Sequence, residues 1–600
     1  VRHPEVVLEP RFRWIAPPTS APTSDLLAAA TELGFGPAAI DLLVTRGVST
    51  PDALRSFLAP PRAALHDPRA LPDADVLVAR VALARSRAER VMVFGDFDAD
   101  GLTGLAILVL ALRSLGLEVV PYVPSRLEEG HGLSIAAIEA AERRGVGLII
   151  TVDTGSSSHR EIDAASRRGI DVVVTDHHRV PAEPLPAMAF VNPHRPDAAY
   201  PDDRLAGSGV AFKAAQLLLS ATGHTDEEAL ALADLAVIGT VADLAPILGE
   251  NRAIARLGLE RLRTSPRPGL AALLERAGVG PAQVDLERVG FALAPRLNAA
   301  GRVGEVEDAA RLLLSEDPEE SMRLAEALES ANLTRRDLTR QVVSEARQAT
   351  ATDVEVGPAV VVRGPWPVGI IGLAASKLSE ETGRPAIVGA ELGDVVRASC
   401  RSGPGFDLAG ALEACDDILL RHGGHAGAAG FEVEASRWED LRARLLSLAL
   451  RAVPTDPRPA LRVDLALPAR AVDYELARDI ARLAPYGPGH PDPLIAVLDI
   501  GVGRARAANG GHTQLVLRRE RDVLDGIAFG RDDLADALAE GDRVDVVARI
   551  TSRSYAGIES LQLEVRDIGP AGTFERGRSG ATIAGPVVRG TATALAADPR

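Results

Sequence analysis

The stretch that most constrains this chain is Val91-Met92-Val93-Phe94-Gly95-Asp96-Phe97-Asp98-Ala99-Asp100-Gly101. Four apolar residues predict a buried strand. The chain breaks at Gly95, and three carboxylates follow within five residues before the helical run Leu102–Leu115. Carboxylates this close repel one another, so near neutral pH they need cations or full solvation. A strand that ends in them delivers them to the edge where open α/β sheets bind ligands. A calcium loop of the EF-hand type starts the same way, with Gly101 as its sixth residue, but its twelfth would be Ile107 where a bidentate Glu is required. The stretch is therefore read as half of a metal site, with an acidic surface turn as the alternative.

The other half is sought at the ends of further strands. Strand patterns at Glu118–Val123, Gly147–Val152, Asp171–Thr175 and Ala187–Val191 alternate with helical ones such as Ala74–Arg87 and Ser134–Arg143. That alternation predicts a parallel, doubly wound sheet. Two of these strands end in Asp153-Thr154-Gly155 and Asp176-His177-His178, and Asp and neutral His are ligands for manganese, magnesium and zinc. A helical run, Leu230–Val241, ends just before Asp243, which the pattern leaves as either a buried ligand or a surface residue.

With 600 residues the chain is too long for one core, and three to five domains are expected. Hydrophobic content of 46% and charged content of 25% describe an ordinary globular protein. Two cysteines, Cys400 and Cys415, argue for a reducing compartment. The absence of a long apolar run or a signal peptide leads us to expect a cytoplasmic location and no membrane partner. A net charge of −17 weighs mildly against nucleic acid, but binding depends on local patches, so arginines near the site are required. There is no phosphate-binding loop of the ATPase type.

The expected organisation is α/β and multidomain. It has a capping segment at 1–70, a parallel-sheet catalytic domain at 71–265 and a helical connector at 266–352. A second α/β domain follows at 353–454, a small β-barrel at 455–570 and a disordered tail at 571–600. Arg335, Arg336 and Arg340 are read as the solvated face of a long connector helix. Arg401-Ser402-Gly403-Pro404-Gly405 and Gly423–Gly430 are read as glycine loops that approach a phosphate or serve as tight turns. Evenly spaced short strands predict the barrel, whose few aromatics are Tyr486, Phe529 and Tyr555.

Taken together, Gly95–Gly101, Val152-Asp153-Thr154-Gly155, Asp176-His177-His178 and Gly239-Thr240-Val241-Ala242-Asp243 resemble, in order, the four motifs of the DHH phosphoesterase superfamily. Pro124-Ser125-Arg126, Glu129-Gly130-His131-Gly132 and Ala294-Pro295-Arg296-Leu297-Asn298-Ala299-Ala300-Gly301-Arg302 resemble its RecJ family of single-strand exonucleases, although Tyr more often stands at the position of His131. Ser399-Cys400-Arg401-Ser402 and Gly424-His425 resemble the DHH-associated substrate-binding domain, and the barrel an OB-fold. The resemblance spans about residues 45–565.

The resemblance implies two divalent cations, manganese or magnesium, held by Asp98, Asp100, Asp153, His177 and Asp243, with Asp153 bridging. Asp96 is left as a ligand or as a residue that orients one. Asp176 is expected to accept hydrogen bonds from the histidines, and His178 to protonate the leaving oxygen or bind the scissile phosphate. Arg126, Arg296, Asn298, Arg302, Ser399, Arg401, Ser402 and His425 are the implied substrate contacts. The implied activity is hydrolysis of single-stranded DNA from the 5′ end to 5′ mononucleotides in repair and recombination, with a single-strand-binding protein and a helicase as partners. The alternatives are a phosphoesterase for short oligonucleotides or cyclic dinucleotides and a non-catalytic single-strand-binding scaffold.

Overall fold

The computed structural model describes residues 8–17, 21–126, 129–351, 357–452, 458–555 and 558–575. The tail expected to be disordered lies, from 576 on, outside the described residues. The chain divides into two compact units, one made of 60–453 with 487–490, the other of described residues from 1–59, 454–486 and 491 onward.

In the first unit, β1 (Arg90–Gly95) lies in a five-stranded parallel sheet with β2 (Val119–Tyr122), β3 (Val146–Val152), β4 (Asp171–Thr175) and β5 (Ala189–Val191), in the order β2-β1-β3-β4-β5. Both faces are covered, which is why β1 is continuously apolar. Val91 and Val93 belong to a core shared with α1 (Ala99–Ser114), α2 (Gly207–Ala221) and α3 (Ala233–Ala242). Met92 and Phe94 enter the opposite core with Ile138 and Ile162. Full burial of such a side chain stabilises the fold by roughly 1.5–3 kcal/mol.

The register aligns the strand ends. Gly95 pairs with Val152, Val152 with Thr175, and Thr175 with Val191. The next residues, Asp96, Asp153, Asp176 and Asn192, therefore form one row at the C-terminal edge.

After the first sheet come α4 (Ala294–Val303) and the long helix α5 (Pro318–Ala351). A second sheet follows, of β6 (Val360–Gly364), β7 (Ala386–Leu392), β8 (Val395–Arg401), β9 (Leu419–Gly424) and β10 (Ala428–Glu434), in the order β9-β10-β8-β7-β6. Here the structure corrects an expectation. Gly423–Gly430 is not a glycine loop but most of a hairpin, with Gly423 opposite Gly430 and Gly424 opposite Ala429. The strand β9 is an exposed edge, so it carries no apolar alternation from which a strand could be read.

In the second unit, β11 (Leu465–Leu467), β12 (Ile495–Ala508), β13 (His512–Arg519), β14 (Asp522–Ala528), β15 (Arg543–Tyr555) and β16 (Ile558–Pro570) run in the order β11-β12-β13-β14-β16-β15. Pairing of β12 with β15 closes the barrel. The helices Ser24–Glu32, Pro37–Thr45 and Pro51–Leu58 pack their apolar faces on Leu465, Leu476, Ile480 and Ile495. These helices, within residues 24–58, thus belong with the barrel. Of the barrel's aromatics, Phe529 is exposed, edge-on to His512. Tyr486 is committed to the fold: its hydroxyl donates to the Ile480 carbonyl and Arg46 lies over its ring. The side chain of Tyr555 lies outside the described residues.

Candidate metal centre

The acidic loop after β1 is locked by its own backbone. Asp98 caps α1, its Oδ1 accepting from Asp100 N and Gly101 N at 3.0 Å each. Gly101 is obligatory, since a Cβ there would stand 2.5 Å from the Asp96 carbonyl oxygen. Asp100 turns inward and accepts from Gly207 N at 2.7 Å and Ser208 N at 2.9 Å. These donors open α2, where a carboxylate is favoured by the helix dipole. Asp153 has a positive φ of 60°, a strained backbone of the kind that clusters at active sites.

Four residues from four loops converge. His177 Nε2 lies 3.0 Å from Asp153 Oδ1 and 4.0 Å from Asp100 Oδ2, and His177 Nδ1 lies 3.8 Å from Asp243 Oδ2. Asp243, left open by the sequence, caps the end of α3 facing this cluster. Three ligand sets lie within cation-binding reach: Asp153, His177 and His178; Asp100, His177 and Asp243; and Asp96, Asp98 and Asp153. Asp153 and His177 are each shared by two of them.

The donor set fits cations. Despite their 3.0 Å separation, Asp153 Oδ1 and His177 Nε2 are not aligned as a hydrogen bond, and both are buried. Burial, then the Asp100 charge, pushes the Asp153 carboxyl well above the usual range. Burial alone would lower His177, but the close approach of Asp153 and the charges of Asp243 and Asp100 raise it. Burial first, and then the surrounding carboxylates, favour a proton on Asp153, while for His177 the carboxylates outweigh burial.

Asp176 keeps the histidines in place. Its Oδ1 accepts from His178 Nδ1 at 2.7 Å and from His177 N at 2.8 Å, and its Oδ2 from Ser156 N at 2.9 Å. Burial would raise this carboxyl, but the hydrogen bond and charge of His178 outweigh it and hold Asp176 far below its ordinary value. With Nδ1 so engaged, His178 presents a buried Nε2 that has no hydrogen-bond partner among the described residues.

A cavity of about 420 Å³ opens beside the metal loop, lined by Arg126, His131, Arg302, Arg397, Ser399 and His422 among others. His131 joins the two spaces, its Nδ1 lying 3.2 Å from Asp96 Oδ2. Its ring lies 4.5 Å from that of Phe97, over which the Arg126 guanidinium sits at 4.9 Å.

The remaining predicted substrate residues divide. Arg126, Arg302 and Ser399 line the cavity. Arg401 is buried behind it, its Nη1 3.3 Å from Ser399 Oγ. Asn298 instead braces the metal loop, accepting from Ala99 N at 2.7 Å. Arg296 pairs with Glu329. The Ser402 hydroxyl is spent on the Gly403 and Phe406 carbonyls, and His425 sits exposed at the hairpin turn, accepting from Gly427 N.

Sequence reasoning missed several participants. Arg397 lies two residues before Ser399 on the same face of β8, so strand alternation could have found it. Asn192, which donates to the His178 carbonyl at 2.9 Å, follows a strand end as the acidic residues do. Gly207 carried no such signal, although a Cβ there would meet Asp153 at 2.5 Å; at Gly239, which opens the fourth motif, a Cβ would meet Ser208 Oγ at 2.2 Å and Asp100 Oδ1 at 2.3 Å.

Comparison with known proteins gives concordant matches. Residues 90–240 match the DHH family, N-terminal domain; residues 357–450 the DHHA1 domain; and residues 463–567 the RecJ OB domain. The single-stranded-DNA-specific exonuclease RecJ of Bacillus subtilis is 36% identical over 568 residues, 94% of this chain and 71% of that protein. The crystal structure of RecJ in complex with Mn2+ from Thermus thermophilus superposes with a TM-score of 0.80 at 31% identity, covering 93% of this chain and 79% of that one. The Mg2+ complex of the same protein gives 0.75 at 31% identity, with coverage of 93% and 78%. Among the described residues, no helix is long and apolar enough to cross a membrane.

Proposed function

The chain belongs to the RecJ family of DHH phosphoesterases, and from that premise we propose that it is a metal-dependent exonuclease that hydrolyses single-stranded DNA from the 5′ end to 5′ mononucleotides. The observation that carries this reading is the buried excess of negative charge around His177, opening on a cavity lined by arginines.

Asp98, Asp100, Asp153, His177 and Asp243 would hold two divalent cations, manganese or magnesium, with Asp153 shared between them and Asp96 in reach of Asp98 and Asp153. When bound, such ions activate water and neutralise charge on the phosphate undergoing transfer. Asp176 fixes the tautomer and orientation of His178 through Nδ1, leaving Nε2 to meet a phosphate oxygen or to return a proton to the leaving oxygen. Arg126 and Arg302 supply guanidinium groups that match a terminal phosphate. Arg401 holds the Ser399 hydroxyl toward the same cavity. A terminus held there would decide which phosphodiester reaches the carboxylates, and so the 5′ polarity. Repair and recombination in the cytoplasm, with a single-strand-binding protein and a helicase to supply and expose strands, are the setting this reading implies.

The test is a time course on one oligonucleotide labelled at either end, with manganese and with a chelator. Early release of mononucleotide from the 5′ label, abolished by the chelator, is expected; release from the 3′ label first overturns the polarity. Arg302→Ala, which takes away a guanidinium lining the cavity, should cut the preference for a 5′-phosphorylated over a 5′-hydroxyl strand by about tenfold to a hundredfold, the worth of a hydrogen bond to a charged group. An unchanged preference would move the phosphate pocket elsewhere.

A further inference from the structure

The cavity beside the metal loop takes two of its lining residues, Arg126 and His131, from one short stretch of chain. Between the buried Pro124 and Leu133 none of the described residues is buried, so hydrophobic packing does not fix where that stretch lies. Gly130 and Gly132 flank His131 with φ of 77° and 91°, a backbone region that glycine enters without steric cost and does not by itself hold rigid. Polar contacts must therefore set the position of both side chains.

Those contacts meet on the carboxylate of Glu129. Its Oε1 accepts from Ser125 N at 2.9 Å. Its Oε2 accepts from the Tyr122 hydroxyl at 3.1 Å and from the Ser134 hydroxyl. The Ser125 carbonyl in turn accepts from Glu129 N at 2.8 Å and from Gly130 N at 3.2 Å. Two of the donors belong to anchored elements. Tyr122 ends β2, its ring stacked on the buried Phe94 with centroids 5.6 Å apart. Ser134 caps the helix Ile135–Arg143, accepting from Ala137 N at 3.0 Å. Burial, then the Glu129 charge, pushes the Tyr122 hydroxyl up to about 12, so it remains a donor near neutral pH. Hydrogen bonds to a charged acceptor are roughly twice as strong as neutral ones, and here three of them hold a stretch without apolar anchors.

Both cavity residues depend on that hold. Glu129 lies three residues after Arg126 and two before His131. Arg126 and His131 meet over the same ring, the guanidinium 4.9 Å and the imidazole 4.5 Å from Phe97. Phe97 stands between Asp96 and Asp98 in the metal loop, and His131 Nδ1 reaches Asp96 Oδ2. Releasing Glu129 would shift the guanidinium and the imidazole together, relative to the carboxylates.

We propose that Glu129 is a positioning residue for the terminal phosphate. By tying Tyr122, Ser125 and Ser134 together it fixes Arg126 and His131 at a set distance from the metal loop, and so sets the preference for a phosphorylated strand end. The inference rests on the reading of the cavity as a terminal-phosphate site and adds the residue that keeps that site in register.

The test compares 5′-phosphorylated and 5′-hydroxyl strands of one sequence, on the full chain with manganese. A misplacement of about 1 Å can cost about a hundredfold. In Glu129→Ala, kcat/KM on the phosphorylated strand should fall by about tenfold or more, through KM, and on the hydroxyl strand by less than about threefold. Glu129→Gln keeps the side-chain length and an accepting oxygen for Ser125 N, and should restore most of the preference. Tyr122→Phe keeps the ring on Phe94 and removes one donor; the preference should fall by about twofold to tenfold, the net worth of one hydrogen bond. An equal loss on both strands in Glu129→Ala and Tyr122→Phe makes Glu129 a support of the fold alone and overturns the inference. So does a Glu129→Gln variant as impaired as Glu129→Ala, which assigns the effect to charge. A preference kept in Glu129→Ala but lost in Arg302→Ala overturns it while leaving the phosphate cavity in place. A wild-type chain that cleaves both strands equally overturns the cavity reading, and this inference with it.

Discussion

At the edge of the catalytic sheet, Asp98, Asp100, Asp153 and Asp243 crowd around one histidine; on α4 and α5, Arg296, Arg302, Arg335 and Arg336 crowd near one carboxylate. Each group resists its own like charges. Two unit charges 4 Å apart repel by about 4 kcal/mol at the effective dielectric near a protein surface. The difference lies in how each is held. The carboxylates sit on short side chains fixed by backbone N–H donors, a strained Asp153 and glycines that admit no Cβ. The guanidinium groups hang on long side chains from two helices. A rigid cluster of hard oxygens suits small cations of defined coordination, whereas a basic face spread over two helices suits a polyanion whose contacts are diffuse and salt-sensitive.

The comparison breaks first at Asp153. Asp153→Asn should lower hydrolysis by at least about a hundredfold, because even residues behind a ligand usually cost 10–100-fold. Metal-free, the same variant should melt at or above the wild-type temperature, since a buried repulsion has been removed. Manganese should raise the wild-type melting temperature more than that of the variant, and equal shifts in the two would remove Asp153 from the cation site.

Asp176→Asn comes next. It removes the negative charge and leaves one accepting oxygen where two serve His177, His178 and Ser156, and the manganese concentration for half-maximal activity should rise by about tenfold to a hundredfold. An unchanged metal titration would show that the histidines are held by other means.

Gly239→Ala tests the rigidity itself. The new methyl would press on Ser208 and Asp100, and overpacking of this kind costs about 1–3 kcal/mol, readable by denaturant melting together with weaker manganese binding. Full stability would mean that α3 can withdraw from α2.

The smallest effect is expected at Arg340, on the same helix as Arg335 but exposed and paired with Asp337. Arg340→Ala should leave both the melting temperature and the slope of log Kd against log salt for a single strand at their wild-type values. A changed slope would extend the basic face beyond Arg296, Arg302, Arg335 and Arg336.

Where function sits at the end of a buried parallel strand, it is legible in the sequence. An apolar run followed by Asp or His is a local pattern, so Asp96, Asp153 and the Asp176-His177-His178 turn stand out before any contact is known. Where a cavity-lining residue sits on the exposed edge strand β9, as His422 does, the pattern is too weak, and Gly423–Gly430 reads as a loop although it forms most of a hairpin. Ser402 and His425 come from the same glycine-rich segments, and their polar atoms serve local turns.

The sequence by itself determined the parallel α/β architecture, the barrel and the acidic strand ends, because hydrophobic period and chain breaks act over a few residues. Only the tertiary structure decided that Asp243 turns toward His177, that Asn298 braces the metal loop and that the helices within residues 24–58 pack with the barrel. It also decided that Arg335 is half-buried among other arginines. The physical reason is the same in each case: these outcomes depend on desolvation and charge where elements far apart in the chain meet, which no local period encodes.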